Sequence, residues 1–105
     1  MNKIRLMEVY VAVVEEGSLS HAAKRLDISA VMVGKAIAEL EKHLRIRLLN
    51  RNTRRQVMTN AGKVWYAESL SVLATLKKAE NRIESLRDYP EGSLRISSAV
   101  TLGTE

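Results

Sequence analysis

The chain has 105 residues, a formal net charge of +5 and 46% hydrophobic residues, which suits a single domain with its own core. It contains no cysteine, which excludes disulfide bonds and thiolate metal sites, and no apolar run approaches the roughly 18 residues of a membrane span. The N-terminus leads into an amphipathic helix instead of a signal peptide, so we expect a cytoplasmic protein.

The positive charge is concentrated between residues 18 and 60. This segment contains nine Lys or Arg against three Asp or Glu, whereas the segments on either side are nearly neutral. A concentrated positive field favours a polyanion, because binding releases the counterions of that polyanion. Charge alone leaves two interpretations open, a nucleic-acid partner or a solvated basic face.

The first predicted helix covers Ile4 to Glu16. Its apolar residues recur at steps of three and four, which predicts an inner face made of Ile4, Met7, Tyr10, Val11 and Val14. Gly17 suits the left-handed position that ends a helix, and Ser18 suits the N-cap of the next helix. We expect this helix to be a scaffold for the two that follow.

A helix-turn-helix is predicted from Ser18 to Leu44. Ala22 and Ala23 supply the small side chains that two steeply crossing helices need where they approach most closely. Asp27 falls at the turn, where Asp tolerates left-handed backbone better than most residues, and Ser29 is the predicted N-cap of the second helix. An ordinary amphipathic helix pair in a small bundle is the alternative.

The second of these helices has two distinct faces. Steps of three and four residues place on its inner face Val33, Ile37, Leu40 and Leu44. The same spacing places on its outer face Val31, Lys35, Ala38 and Lys42. The outer face is therefore the one left to contact a partner.

Two short strand-like runs follow at residues 48–51 and 56–58, and Asn52–Arg55 joins them. A hairpin with basic residues at its tip is typical of the wing of a winged helix. On a DNA partner, the hairpin backbone would lie beside the DNA phosphates, with Arg54 or Arg55 at the minor groove. Basic hairpins are common, so this signal gains its weight from the helix-turn-helix before it.

A long helix is predicted to start at Thr59 or Asn60 and to run to about Asp88. Steps of four and three give it a heptad seam of Trp65, Ser69, Val72, Leu76, Ala79, Ile83 and Leu86. We expect this seam to form a homodimer, and a helix folded back on its own domain is the alternative. The residues predicted to pack on the helical body are Val64, Ala67, Leu70 and Leu73.

The long helix is predicted to end at Tyr89–Gly92, because proline cannot continue a helix. Residues 93–97 alternate like a strand but have no partner strand in the sequence. They indicate either a fragment of a longer protein or a natural product that stops at the start of a second domain.

These residues resemble the N-terminal DNA-binding region of LysR-type transcriptional regulators. The resemblance covers Ile4 to Gly62 and continues into the long helix, and Gly92–Ile96 looks like the first strand of that family's effector domain. Its marks are Val13, Glu16-Gly17-Ser18, Ala22-Ala23, Leu26, Ser29, Ile37, Leu40-Glu41, Leu44, Leu48, Arg51, Arg54-Arg55 and Thr59-Asn60-Ala61-Gly62.

The resemblance implies a mainly α fold with three parts. Residues 1–60 would form a winged helix-turn-helix DNA-binding domain with a small β-hairpin wing, 61–89 a linker or dimerisation helix, and 90–105 a hinge and the start of a missing effector domain. It implies a bacterial, nucleoid-associated homodimer on an interrupted palindromic operator in double-stranded DNA, or a tetramer if an effector domain exists. No cofactor, metal or membrane is expected.

By position, the base-reading residues of the family fall on Ala30, Val31, Gly34 and Lys35, and its backbone contacts on serines and wing arginines. The expected DNA-binding set is Ser18, Ser20, Ser29, Ala30, Val31, Met32, Gly34, Lys35, Ala38, Lys42, Arg51, Arg54 and Arg55. The expected dimer interface is Trp65, Val72, Leu76, Ala79, Ile83 and Leu86.

The chain departs from the family pattern on the reading helix. The family usually has polar residues or Pro at 30 and 31 and Ser at 34, where this chain has Ala30, Val31 and Gly34. Such side chains can read thymine methyl groups but cannot make bidentate base contacts, which leaves Lys35 as the main hydrogen-bonding reader. Gly34 costs about 1 kcal/mol of helix stability relative to Ala. Arg45 replaces a Gly that usually ends the helix.

An enzyme is not expected. The only histidines, His21 and His43, fall in separate helices without a cysteine or a paired-carboxylate cluster. Solvated helix faces are predicted for Glu15, Glu16, Glu39 and Glu41. The apolar segment Ala30–Met32 motivates an alternative function, because exposed apolar residues can also mark a partner site. In this alternative, the winged helix binds DNA non-specifically or binds another protein. It would interfere with full-length relatives through the dimer helix.

Overall fold

The computed structural model describes residues 1–51 and 56–87, without the side chain of Arg51. The predicted wing tip with Arg54 and Arg55, and the predicted helix break and strand after residue 87, lie outside the described residues. The chain divides into two compact units, Met1–Leu73 and a second that begins at Ala74. The elements are α1 (Lys3–Glu16), α2 (Leu19–Leu26), α3 (Ala30–Leu44), β1 (Leu49–Arg51), β2 (Gln56–Met58) and α4 (Asn60–Arg87).

Helix α1 lies at the centre of the first unit. Its contacts with α2, α3 and β2 bury it on several sides, so its buried face is wider than one amphipathic stripe. The buried residues are Leu6, Val9, Tyr10, Val11, Ala12 and Val13, whereas the predicted face members Ile4, Met7 and Val14 are only partly buried. The scaffold role predicted for this helix is confirmed, and its inner face is rotated from the predicted one.

The helix-turn-helix forms as predicted, because its ends are fixed by local side chains. The Ser18 side chain accepts a hydrogen bond from the His21 amide, and the Ser29 side chain accepts one from the Met32 amide, each at 3.1 Å. Asp27, at the turn, has left-handed backbone with φ of 59°. Ala22 and Ala23 are buried where α2 meets its neighbours.

The wing is a two-stranded antiparallel sheet. Its register pairs Leu49 with Met58 and Asn50 with Val57. Leu48 and Leu49 are fully buried at its root, so the hairpin continues the core of the helices. The predicted mainly α fold with a small hairpin is therefore confirmed.

One contact joins the wing root to α1 and α4. The Tyr10 hydroxyl donates a 3.0 Å hydrogen bond to the Leu48 carbonyl, and burial, together with the charge of Glu41, raises the pKa of Tyr10 to about 12. Gly62 lies against the same two groups, and a Cβ there would overlap the Leu48 oxygen and the Tyr10 hydroxyl. Only glycine therefore allows α4 to approach this closely.

The start of α4 is capped by Thr59. Its hydroxyl accepts a hydrogen bond from the Gly62 amide at 2.9 Å and donates one to the Arg47 carbonyl at 2.7 Å. The cap therefore also holds the segment between α3 and β1, which fixes where the long helix begins.

The face of α4 that packs on the first unit differs from the predicted one. Ala61, Trp65 and Tyr66 pack against the core, and Ser69 is fully buried. Val64 is 64% exposed, and Ala67 and Leu70 are also exposed. The prediction for these three residues was wrong because the close approach at Gly62 sets the rotation of the helix.

Among the helices of residues 1–51 and 56–87, none combines the length and the apolar character that crossing a membrane would require.

We expect Gly62→Ala to destabilise the first unit by about 3 kcal/mol, the upper range for a group forced into a packed site. Urea unfolding followed by circular dichroism measures the change. The matched control is Gly34→Ala in α3, where a Cβ would meet only the Leu19 Cδ1 atom at 3.8 Å. That variant should gain about 0.5–1 kcal/mol from better helix propensity. Similar stability of the two variants would contradict the close approach at Gly62.

Candidate nucleic-acid interface

The outer face of α3 is uncovered along its whole length. Val31, Lys35, Ala38 and Lys42 are all exposed, while Val33, Ala36, Ile37 and Leu40 are buried on the opposite side. The flanking residues at the start of the helix, Ala30 and Met32, are exposed as well. The sequence therefore predicted both faces of this helix correctly.

Two lysines give this face its charge. Among the ion pairs of residues 1–51 and 56–87, none involves Lys35 or Lys42, so their charges are available to a partner. By contrast, Arg25 is paired with Glu15 and Glu16.

The N-terminal ends of α2 and α3 carry the predicted serines. Ser18 and Ser29 are the N-caps, and Ser20 is exposed in the first turn of α2. The Ser18 hydroxyl also lies 2.9 Å from Nδ1 of His21. The first amides of a helix favour an anion such as a phosphate, because they lack partners within the helix and lie at the positive end of its dipole.

Glu41 is not on a solvated face, contrary to the prediction, and is only 14% exposed. Its Oε2 atom accepts hydrogen bonds from the amides of Leu48 at 2.8 Å and Leu49 at 3.2 Å. The Arg47 guanidinium lies 3.7 Å from the same oxygen. One carboxylate on α3 thus fixes the root of the wing relative to that helix.

Glu15 also has partners, although it is exposed as predicted. It accepts hydrogen bonds from Arg25 of α2 and Tyr66 of α4, each at 2.8 Å. These hydrogen bonds lower the pKa of Glu15, and the bond from Tyr66 has the larger effect. The bond between Tyr66 and Glu15 also raises the pKa of Tyr66. Because the folded-state pKa of Glu15 is lowered, its stabilising effect is present above the unfolded pKa and is lost as pH falls through the folded value.

Sequence reasoning missed the roles of Glu41, Arg25 and Tyr66. Their partners lie 7 to 51 residues away along the chain, so no periodic pattern reveals them. For Glu41, the one available signal was its place in the family pattern beside Leu40.

Most of the predicted dimer seam is exposed. Val72, Leu76, Ala79, Ile83 and Leu86 are accessible on α4, and Ile83 is 58% exposed. Trp65 instead packs partly on the core of its own unit. No group of three potential metal ligands occurs among residues 1–51 and 56–87.

Comparison with known proteins relates this arrangement to one family. A family model described as "Bacterial regulatory helix-turn-helix protein, lysR family" matches residues 4–63. An uncharacterized HTH-type transcriptional regulator of Haemophilus influenzae is 36% identical over 97 residues, which cover 92% of this chain and 34% of that protein. The HTH-type transcriptional activator AaeR of Escherichia coli is 31% identical, with 97% of this chain and 33% of that protein covered. The chain thus spans about a third of the length of these relatives.

Solved structures show the same fold. The BenM_DBD/catB site 1 DNA complex matches with a TM-score of 0.81 and 28% identity, over 86% of this chain and 100% of that one. The CbnR_DBD–DNA complex matches with a TM-score of 0.76 and 27% identity, over 82% of this chain and 99% of that one.

Glu41→Ala should lower the free energy of unfolding by about 2 kcal/mol, because two buried amides lose their acceptor. Glu41→Gln should lose much less, since both amides bond to one oxygen that the Gln carbonyl can replace. Urea unfolding gives the two values, and amide exchange at Leu48 and Leu49 locates the effect. Equal losses in the two variants would assign the effect to the charge instead of the acceptor.

Proposed function

Because the chain belongs to the lysR family of bacterial regulatory helix-turn-helix proteins, we propose that its winged helix-turn-helix, predicted at residues 1–60, binds operator DNA in a sequence-specific way. The observation that carries this proposal is the outer face of α3, which is uncovered and bears two lysines that take part in no ion pair within residues 1–51 and 56–87. Helix α3 would lie in the major groove and the wing at the minor groove.

The residues of this interface divide into two roles. Lys35 lies in the second turn of α3 and is its main hydrogen-bonding base reader, since its neighbours Val31 and Ala38 have no polar side-chain atoms. Backbone phosphates are held by Ser18, Ser20, Ser29, Lys42, Arg51, Arg54 and Arg55. The apolar contacts come from Ala30, Val31, Met32, Gly34 and Ala38.

A second part of the proposal concerns assembly. Helix α4 has 28 residues, about 42 Å at 1.5 Å per residue, and its exposed seam residues repeat at steps of three and four. Two such helices would bury Val72, Leu76, Ala79, Ile83 and Leu86 against each other, and Trp65 would lie at the start of the interface. The homodimer would present two reading helices to an interrupted palindrome, and an effector domain would allow tetramers.

The relatives named above are transcriptional regulators, and we infer the same role for this chain in place of an enzymatic one. A cytoplasmic site near the nucleoid follows from that role. Residues 61–89 would be the linker helix and 90–105 the hinge to an effector domain. The alternative of a non-specific or protein-binding module is not favoured, since similar domains are solved with DNA.

Lys35→Ala should weaken binding to a duplex selected from a random library by about 1–3 kcal/mol, with loss of preference at particular base positions. Binding to unselected duplex should weaken much less. Lys77→Ala, which removes the same charge from an exposed site on α4, is the control. Fluorescence anisotropy at several salt concentrations separates the two effects. Equal losses on both duplexes would remove the base-reading role from Lys35.

Ile83→Asp should abolish the dimer, because it places a charge in the apolar seam of α4. Sedimentation velocity reports the change, and high-affinity binding to the selected palindrome should be lost with it. Lys78→Asp introduces the same side chain away from the seam and should leave the dimer intact. A wild-type chain that sediments as a monomer would contradict the assembly.

A further inference from the structure

Gly34 lies inside α3, where neither the backbone nor the packing requires a glycine. Among residues 1–51 and 56–87, the only glycine with positive φ is Gly17. A Cβ at position 34 would meet only Leu19 Cδ1 at 3.8 Å, which is an ordinary van der Waals distance. A glycine within a helix is less stable than alanine, so this position carries a cost that the fold does not explain. Gly62 is the contrasting case, since there a Cβ would overlap two groups.

Gly34 lies beside the outer face of α3, is partly buried, and has an apolar residue one turn before it and one turn after it. Val31 lies one turn before it and is 67% exposed, and Ala38 lies one turn after it and is also exposed. Beside Lys35, this row of the helix therefore has one projecting isopropyl group at Val31, then bare backbone at Gly34, then a single methyl group at Ala38. Such a surface is shallow, and a flat partner can approach the helix backbone at Gly34 more closely than at any residue with a side chain.

The chemistry of this face selects its ligand. Val31, Gly34 and Ala38 have no side-chain nitrogen or oxygen, so they cannot make the bidentate hydrogen bonds that distinguish guanine or adenine. In the major groove, thymine is the base that presents a methyl group, and apolar side chains contact it. These three residues therefore match thymine, the base that offers a methyl group in the major groove.

We propose that Val31, Gly34 and Ala38 form a methyl-reading face that contacts the 5-methyl groups of thymines in each half-site, with the helix backbone at Gly34 close to the base edges. This inference rests on the proposed DNA binding and adds the chemical group that is read. Lys35, on the same side of the helix, donates to an acceptor on a neighbouring base. The half-site thus combines thymine methyl groups with one hydrogen-bonded position.

The direct test compares duplexes that differ only in methyl groups. A duplex selected from a random library is prepared with thymidine or with deoxyuridine, which pairs identically but lacks the 5-methyl group. The affinity of the chain should fall about fourfold for each contacted methyl group removed, the effect of burying one such group. In Val31→Ala, the same replacement should have a smaller effect, because part of the methyl contact is already lost.

Gly34→Ala provides a second, independent readout. The variant should unfold at a higher temperature than the wild type and yet bind the thymidine duplex at least about tenfold more weakly, since the added methyl group holds the backbone away from the bases. The gain in stability shows that the variant folds, so that weaker binding cannot result from unfolding.

The outcomes distinguish failure of the methyl-reading face from failure of the proposed DNA binding on which it rests. Equal affinity for the thymidine and deoxyuridine duplexes, or unchanged selective binding by Gly34→Ala, would overturn the methyl-reading face while DNA binding stands. A chain that binds no duplex would overturn the proposed function, and the methyl-reading face with it.

Discussion

The first unit depends on the carbonyl group of Leu48. Its oxygen accepts hydrogen bonds from the Tyr10 hydroxyl at 3.0 Å and from the Thr59 amide at 3.1 Å, and it lies directly against Gly62. The core of α1, the root of the wing and the start of α4 therefore meet at one buried polar atom. Because a buried carbonyl is costly without partners, these three elements hold their places together.

Helix α3 is placed by contacts at both of its ends. Its N-terminal end is capped by Ser29, and its inner face is anchored by Val33 and Ile37. Near its C-terminal end, Glu41 holds the backbone of Leu48 and Leu49. The outer face takes no part in this packing, so under the proposed function its residues can change with the operator sequence while the fold stays intact.

The sequence predicted the features that are local. The caps at Ser18 and Ser29, the left-handed turn at Asp27 and both faces of α3 follow from spacing and residue type. It could not place Glu41 or Tyr66, whose partners are distant in the chain, nor the rotation of α4, which the contact at Gly62 decides. For the DNA-binding set, the sequence predicted positions on a surface, and the α3 members Ala30, Val31, Met32, Lys35, Ala38 and Lys42 are exposed, whereas Gly34 is partly buried.

The left-handed backbone at Asp27 and Arg45, each with φ of 59°, has a consequence for how this domain can change. A residue with a Cβ in that conformation is strained by about 1 kcal/mol, which glycine would relieve. Both residues are exposed, so the exchange would disturb no packing. Substituting glycine at either turn should therefore stabilise the domain. Such a substitution could offset the stability lost when a new side chain is introduced on α3.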